Sequence, residues 1–180
     1  MERITDYVSI RDNGKTRPSN AKWSDSPEMT WSEYWDYWGN EVANRWVYRG
    51  ESYQANFREI GYEWVDFLFD ETGFLAFPDI YCSPEAKILN GDLSVRCTMH
   101  PAFNVRGFSD DRLEEAKRDS LSCYGHWTPL PHFKRQVRNN KKRTDGIIEI
   151  EGNDGLADCM YFFDAQTGAL VGAEPFTWTD

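Results

Sequence analysis

Two cysteines of this chain are each followed, three positions later, by a histidine. The pairs are Cys97 with His100 and Cys123 with His126, and one helix-length segment separates them. A thiolate and an imidazole at this spacing can bind one metal ion from a tight turn, and two such pairs supply the four ligands of a closed tetrahedral zinc site. Such a site stabilises a fold rather than performing chemistry, so the spacing predicts structural zinc. The alternative is that the cysteines are reduced or buried thiols and the histidines are unrelated.

A second group of residues combines one arginine with two glutamates. Arg49 lies in Tyr48-Arg49-Gly50 at the expected end of a strand, and Glu149-Ile150-Glu151 is an E-x-E element. The first fragment resembles the strand-end arginine of ADP-ribosyltransferases, and the second is similar to their E-x-E element. The resemblance implies that Arg49 holds the phosphates of NAD and that Glu151 stabilises the ribosyl cation or positions the acceptor. The Ser-Thr-Ser element of that family is absent, and alternating isoleucines and glutamates also fit an ordinary strand with one wet face.

The charge of the chain is unevenly distributed. The net charge is −10, from 30 acidic and 20 basic residues. Six of the basic residues lie between Lys134 and Arg143, where there is no acidic residue, which leaves 14 basic against 30 acidic residues elsewhere. A body this acidic repels nucleic acid and attracts basic partners, most strongly at low salt. The alternative is that the acidic surface only keeps the protein soluble.

Composition and the absence of apolar runs indicate the class of protein. With 8 Trp, 9 Tyr and 11 Phe, the chain has enough large apolar side chains to build a core. No run approaches the ~18 apolar residues of a membrane helix, and the N-terminal residues lack the pattern of a secretory signal. We therefore expect a cytoplasmic protein that does not bind a membrane, with cysteines that are thiols or metal ligands rather than disulfides.

The helices are predicted from capping residues and apolar spacing. Thr30 and Glu33 form a capping box, and aromatic residues follow at helical spacing, ending with Val42. A second helix is expected after Ser52, with one apolar face made of Phe57, Ile60, Trp64, Phe67 and Leu68. A third is expected to begin at Ser109 and to run to about residue 122, because two acids follow the serine at the positive end of the helix dipole.

The strands are predicted from β-branched and aromatic runs between glycine-rich turns. The clearest lie at 147–150, 159–163 and 169–171, and shorter ones are expected at 7–10, 46–49 and 93–97. Helices early and strands late predict an α+β fold, a C-terminal antiparallel sheet with two or three amphipathic helices packed on one face. Residues 1–29 are expected to be a strand and a polar loop or arm, and residues 30–180 a single domain.

Three classes of function are consistent with these observations. The first is an acidic, aromatic-rich protein-binding module, of immunity or inhibitor type, that captures a basic protein partner. The second is a divergent NAD-dependent ADP-ribosyltransferase using Arg49, Glu149 and Glu151. The third is a structural component of a larger assembly such as a virus particle. Enzymatic activity stays undecided, although the lack of a complete catalytic set favours a non-enzyme. No cofactor besides structural zinc is expected, and nucleic acid is not an expected partner.

Overall fold

The computed structural model describes residues 2–18, 30–68, 70–79, 82–105, 107–115, 118, 131–134 and 146–175. In this part of the chain the main elements are twelve strands and one short helix, α1 (Trp31–Trp38). The strands are β1 (Thr5–Arg11), β2 (Thr16–Pro18), β3 (Glu41–Tyr48), β4 (Glu51–Ala55), β5 (Trp64–Phe67), β6 (Gly73–Phe77), β7 (Ala86–Asn90), β8 (Val95–Met99), β9 (His132–Phe133), β10 (Ile147–Asn153), β11 (Asp158–Asp164) and β12 (Leu170–Pro175).

The strands form three antiparallel sheets of four strands each. The N-terminal sheet has the order β2-β1-β3-β4, the central sheet β5-β6-β7-β8, and the C-terminal sheet β12-β11-β10-β9. The central sheet is a meander, in which each strand pairs with the next one along the chain. The N-terminal sheet instead joins two hairpins through the pairing of β1 with β3.

Both faces of the central sheet are buried, which shows that this sheet lies between the other two. In β6, Phe74 and Ala76 pack with Trp46 and other residues of the N-terminal sheet. Leu75 and Phe77 point to the opposite face and pack with residues of the C-terminal sheet. Successive side chains of a strand alternate between faces, so a strand covered on both sides is apolar at every position. All five residues of β6 are buried accordingly.

The predicted α+β class is wrong. In the part of the chain that the structure describes, antiparallel sheet predominates, and no set of amphipathic helices packs there on a single C-terminal sheet. The predicted second helix is replaced by a turn at 56–61 followed by β5. Its apolar residues lie on two faces instead of one: Phe67 packs with the N-terminal sheet, and Trp64 packs with the C-terminal sheet. Gly61, with a left-handed φ of 91°, lies in the middle of the expected helix.

The other predicted helices are confirmed at their starts. The Thr30 amide donates to Glu33 Oε2 at 2.7 Å and the Glu33 amide donates to Thr30 Oγ1 at 3.4 Å, so both halves of the expected capping box are present. Helix α1 ends at Trp38, because Gly39 adopts a left-handed φ of 71° and Val42 belongs to β3. Residues 110–115 are helical, and the Leu113 amide donates to the Ser109 carbonyl at 3.0 Å.

The predicted strands of the C-terminal third are confirmed as β10, β11 and β12, with Ile150 opposite Tyr161 in the register. Strand β1 contains the strand expected at 7–10, and it pairs with β3 across the predicted boundary after residue 29. Among the described residues, no helix has the length and apolar character needed to cross a membrane.

Candidate functional site

Arg49 lies in the two-residue turn that joins β3 to β4. Arg49 and Gly50 have φ values of 54° and 79°, and both values are positive as a type I′ hairpin turn requires. The Arg49 guanidinium lies 5.0 Å from the centre of the Tyr48 ring and hydrogen-bonds to the carboxylate of Glu2. The hydrogen bond that Arg49 donates to Glu2 raises the pKa of Arg49 above its ordinary value. Arg49 therefore occupies an exposed hairpin tip, where it contacts the ring of buried Tyr48 and the carboxylate of exposed Glu2.

Glu149 and Glu151 lie on β10, in the C-terminal sheet. Glu151 is only 2% exposed and stands opposite Met160, which is also buried. Glu149 is half-buried. The expectation of a wet strand face is thus wrong for Glu151. Periodicity shows which residues share a face of a strand but not whether that face is covered, so burial of this glutamate had no signal in the sequence.

The structure does not bring Arg49 and Glu151 together. Arg49 belongs to the N-terminal sheet and Glu151 to the C-terminal sheet. The central sheet lies between them, with one apolar cluster on each of its faces. A dinucleotide held by the arginine would therefore be separated from the glutamate by a packed layer of protein. The geometry gives no support to a shared NAD site.

Half of the predicted zinc site lies in the described part of the chain. Cys97 is half-buried on β8, beside Gly168, and exposed His100 follows the end of that strand. Cys123 and His126 lie outside the described residues. No group of three or more metal-binding side chains occurs among the residues that the structure describes. Burial raises the pKa of the Cys97 thiol, which disfavours the thiolate that zinc requires. Structural zinc remains a prediction.

A polar network, not foreseen from the sequence, joins β1 to β3. The Tyr7 hydroxyl donates to Asn44 Oδ1 at 2.9 Å, and the Asn44 amide donates to Glu41 Oε1 at 2.9 Å. The second oxygen of Glu41 lies 3.7 Å from the guanidinium of Arg11, which is 9% exposed. Burial, with Glu41 and Asp66 nearby, raises the pKa of Tyr7, so the phenol stays protonated and acts as a donor. The network satisfies polar groups between two strands.

Most basic side chains of the described residues have an acidic partner within the chain. Lys134 contacts Asp158 at 2.5 Å, and Lys87 contacts Glu85 at 2.9 Å. Further ion pairs join Arg3 to Glu71, Arg11 to Glu41, Arg49 to Glu2, Arg58 to Glu63 and Arg112 to Glu115. Because acidic residues outnumber basic ones in the chain, these pairs engage the cations and leave an excess of negative charge.

An open groove of about 460 Å³ lies at the outer edge of the N-terminal sheet. It is bounded by the start of β3, the end of β4, the turn at 56–61 and the turn between β7 and β8. We call it the Val42–Ile60 groove, and its apolar lining comes from Val42, Ala43, Ala55, Ile60 and Leu93. Val42 and Ile60 are 42% and 47% exposed, which is unusual for large aliphatic side chains in one groove. The groove is a candidate binding surface.

The fold and the surface define the class of protein: it is a mostly antiparallel β protein with three layers and an acidic exterior. No protein-family model and no curated protein sequence matches the chain. A chain from the solved structure of Tne2 in complex with Tni2 is similar to it, with a TM-score of 0.52 and 14% identity. The match covers 97% of this chain and 99% of that one. The similarity therefore extends over the whole architecture, and at this identity it shows the fold alone.

Proposed function

We propose that this chain works by binding another protein, and that the partner is basic. The observation that carries the proposal is the charge of the folded body. Ion pairs engage most of the basic side chains that the structure describes, as between Lys134 and Asp158, and the net charge of the chain is −10. Complementary charge speeds association and selects between partners.

The similar fold supports this proposal in a general way. The solved structure that resembles this chain is a complex of two proteins, Tne2 and Tni2. A fold that occurs within a two-protein complex is compatible with a binding role, although a fold does not determine a function. The concrete form of the proposal is an immunity- or inhibitor-type protein, in which an acidic surface covers a cationic effector such as a nuclease.

A salt-dependent pull-down tests the proposal. The tagged chain is incubated with extract of its source cells at low and at high salt, and bound proteins are identified by mass spectrometry. We expect a basic protein to be recovered at low salt and to be depleted at high salt, because exposed charges are screened over a Debye length of ~8 Å at physiological ionic strength. Recovery of no specific protein at low salt would contradict the proposal.

The inhibitor form of the proposal has its own readout. Once a partner is recovered, its enzymatic activity is measured while the purified chain is titrated in. We expect activity to fall in proportion to the chain added and to reach its minimum near equimolar amounts. Binding without any loss of partner activity would retain the binding function and reject the inhibitor form.

A further inference from the structure

Three acidic residues stand directly before the three large aliphatic residues of the Val42–Ile60 groove. The sequence pairs are Glu41-Val42, Glu59-Ile60 and Asp92-Leu93, and they come from three separate segments of the chain. All three acidic residues are exposed. The fold therefore gathers three aliphatic side chains at one groove, and of the three acidic residues Glu59 itself lines it.

Two of the three acidic residues, Asp92 and Glu59, are held in place by hydrogen bonds, and Glu59 lines the groove. Asp92 Oδ1 accepts hydrogen bonds from the amide and the hydroxyl of Ser94, which hold the pKa of Asp92 below its ordinary range. Glu59 accepts a hydrogen bond of 3.0 Å from the Asn56 side chain. No basic side chain of the described residues lines the groove. Its local charge is therefore negative, like that of the chain as a whole.

Leu93 has a backbone conformation that is unusual for leucine. Leu93 has a left-handed φ of 66°, which bulky residues rarely adopt and which glycine would adopt without strain. Its amide closes the β7–β8 turn by donating to the Asn90 carbonyl at 2.9 Å. The leucine side chain packs against the apolar cluster of the N-terminal sheet and forms one wall of the groove.

The turn at 56–61 presents Ile60 to solvent in an ordered way. Phe57 is 6% exposed and anchors this turn in the same apolar cluster. The Ile60 and Tyr62 amides both donate to the Phe57 carbonyl, at 3.2 and 3.0 Å. Ile60 is therefore an exposed aliphatic side chain on a backbone fixed by a buried aromatic ring, which suits a preformed contact surface.

We infer that the Val42–Ile60 groove is where the partner docks, and that it takes a protein segment carrying an aliphatic or aromatic side chain flanked by lysine or arginine. This inference rests on the proposed function and names its surface. The aliphatic side chains Val42, Ile60 and Leu93 contact the apolar side chain of that segment. The carboxylate of Glu59, which lines the groove, faces its cations. A central apolar contact with a charged rim is the arrangement that concentrates binding energy at protein interfaces.

A phage-displayed library of random dodecapeptides, selected on the immobilised full chain at low salt, tests the inference. Two variants add the same positive charge at exposed positions: Ile60→Lys in the groove, and Val171→Lys on β12, where the valine is 61% exposed. We expect selected peptides to contain lysine or arginine beside an apolar residue. They should bind Ile60→Lys about tenfold more weakly than the parent and bind Val171→Lys almost unchanged. Equal melting temperatures would show that both variants are folded.

A second matched pair tests the acidic rim. Glu59→Gln and Glu174→Gln remove the same charge from exposed positions, and only the first should weaken the selected peptides. The groove assignment would be overturned if the two variants of either pair had equal effects. It would also be overturned if the selected peptides lacked basic residues, or if no peptide were selected. A cellular partner that binds Ile60→Lys as tightly as the parent would overturn the groove and leave the proposed function standing. Recovery of neither partner nor peptide would overturn both.

Discussion

The indole nitrogen of Trp46 donates a hydrogen bond of 2.6 Å to the carbonyl oxygen of Gly91. Trp46 is fully buried on β3, and Gly91 is the first residue after β7, so the bond joins the N-terminal sheet to the central sheet. The Tyr48 ring lies directly against Gly91, where a Cβ atom would be 2.3 Å from Tyr48 Cγ. These contacts fix the turn that also carries Leu93. Packing in the core therefore determines the position of Leu93, which forms one wall of the Val42–Ile60 groove.

Gly91→Ala is expected to destabilise the protein by about 1–3 kcal/mol, because the added methyl group overlaps a buried ring that has no room to move. Gly172→Ala is the matched control, since a Cβ atom there would meet its nearest neighbour at 3.9 Å. The control should change the free energy of unfolding by no more than ~0.5 kcal/mol. Urea denaturation of both variants measures the difference, and equal midpoints would contradict the steric argument.

Asp66→Asn is expected to raise stability at neutral pH. Burial raises the pKa of Asp66, and the hydrogen bond of 3.0 Å from the Trp64 indole opposes that shift only in part. A carboxyl with a raised pKa in the folded state binds more protons there than in the unfolded state. Its contribution to stability is therefore present below the unfolded pKa of about 3.9 and is lost as pH rises through the folded value. The asparagine variant has no carboxyl group to titrate, so it should not show this loss. Denaturation at several pH values measures the free energy of unfolding of the parent and of the variant.

Asp158→Asn is expected to have the opposite effect. Burial would raise the pKa of Asp158, but hydrogen bonds from Lys134 and Asn153 outweigh burial and lower it. Stability from this group is present above the unfolded pKa and is lost as pH falls through the folded value. The variant should therefore lose stability at neutral pH, by ~1 kcal/mol or less because the pair is partly exposed. The difference should vanish in acid. The same direction of change for Asp66→Asn and Asp158→Asn would contradict one of the two assignments.

The zinc prediction is tested by elemental analysis of the purified protein. If Cys97, His100, Cys123 and His126 share an ion, we expect about one equivalent of zinc and a lower melting temperature after chelation. Cys123→Ser should lose the metal. Cys159→Ser should retain it, because Cys159 is buried in the core and is not one of the predicted ligands, although the polar hydroxyl lowers stability. Metal-free protein that is indifferent to a chelator would end the hypothesis.

Local features of this protein could be predicted from its sequence alone. The capping box at Thr30, the turn at Gly50 and the C-terminal strands β10 to β12 depend on residues close together in the chain. Turn chemistry, capping and alternation act over a few residues, so their signals are complete within a short window. The acidic excess is also a property of composition.

The layering of the three sheets was decided only by the tertiary structure. The apolar residues from Phe57 to Leu68 match a helical face in sequence, yet Phe67 and Trp64 pack into different clusters on the two faces of the central sheet. A strand buried on both sides needs apolar residues at every position, so it loses the alternation that identifies strands. The burial of Glu151, the separation of Arg49 from it, and the convergence of Val42, Ile60 and Leu93 at one groove depend on contacts between distant segments. Those contacts form only when the sheets stack, which no short stretch of sequence specifies.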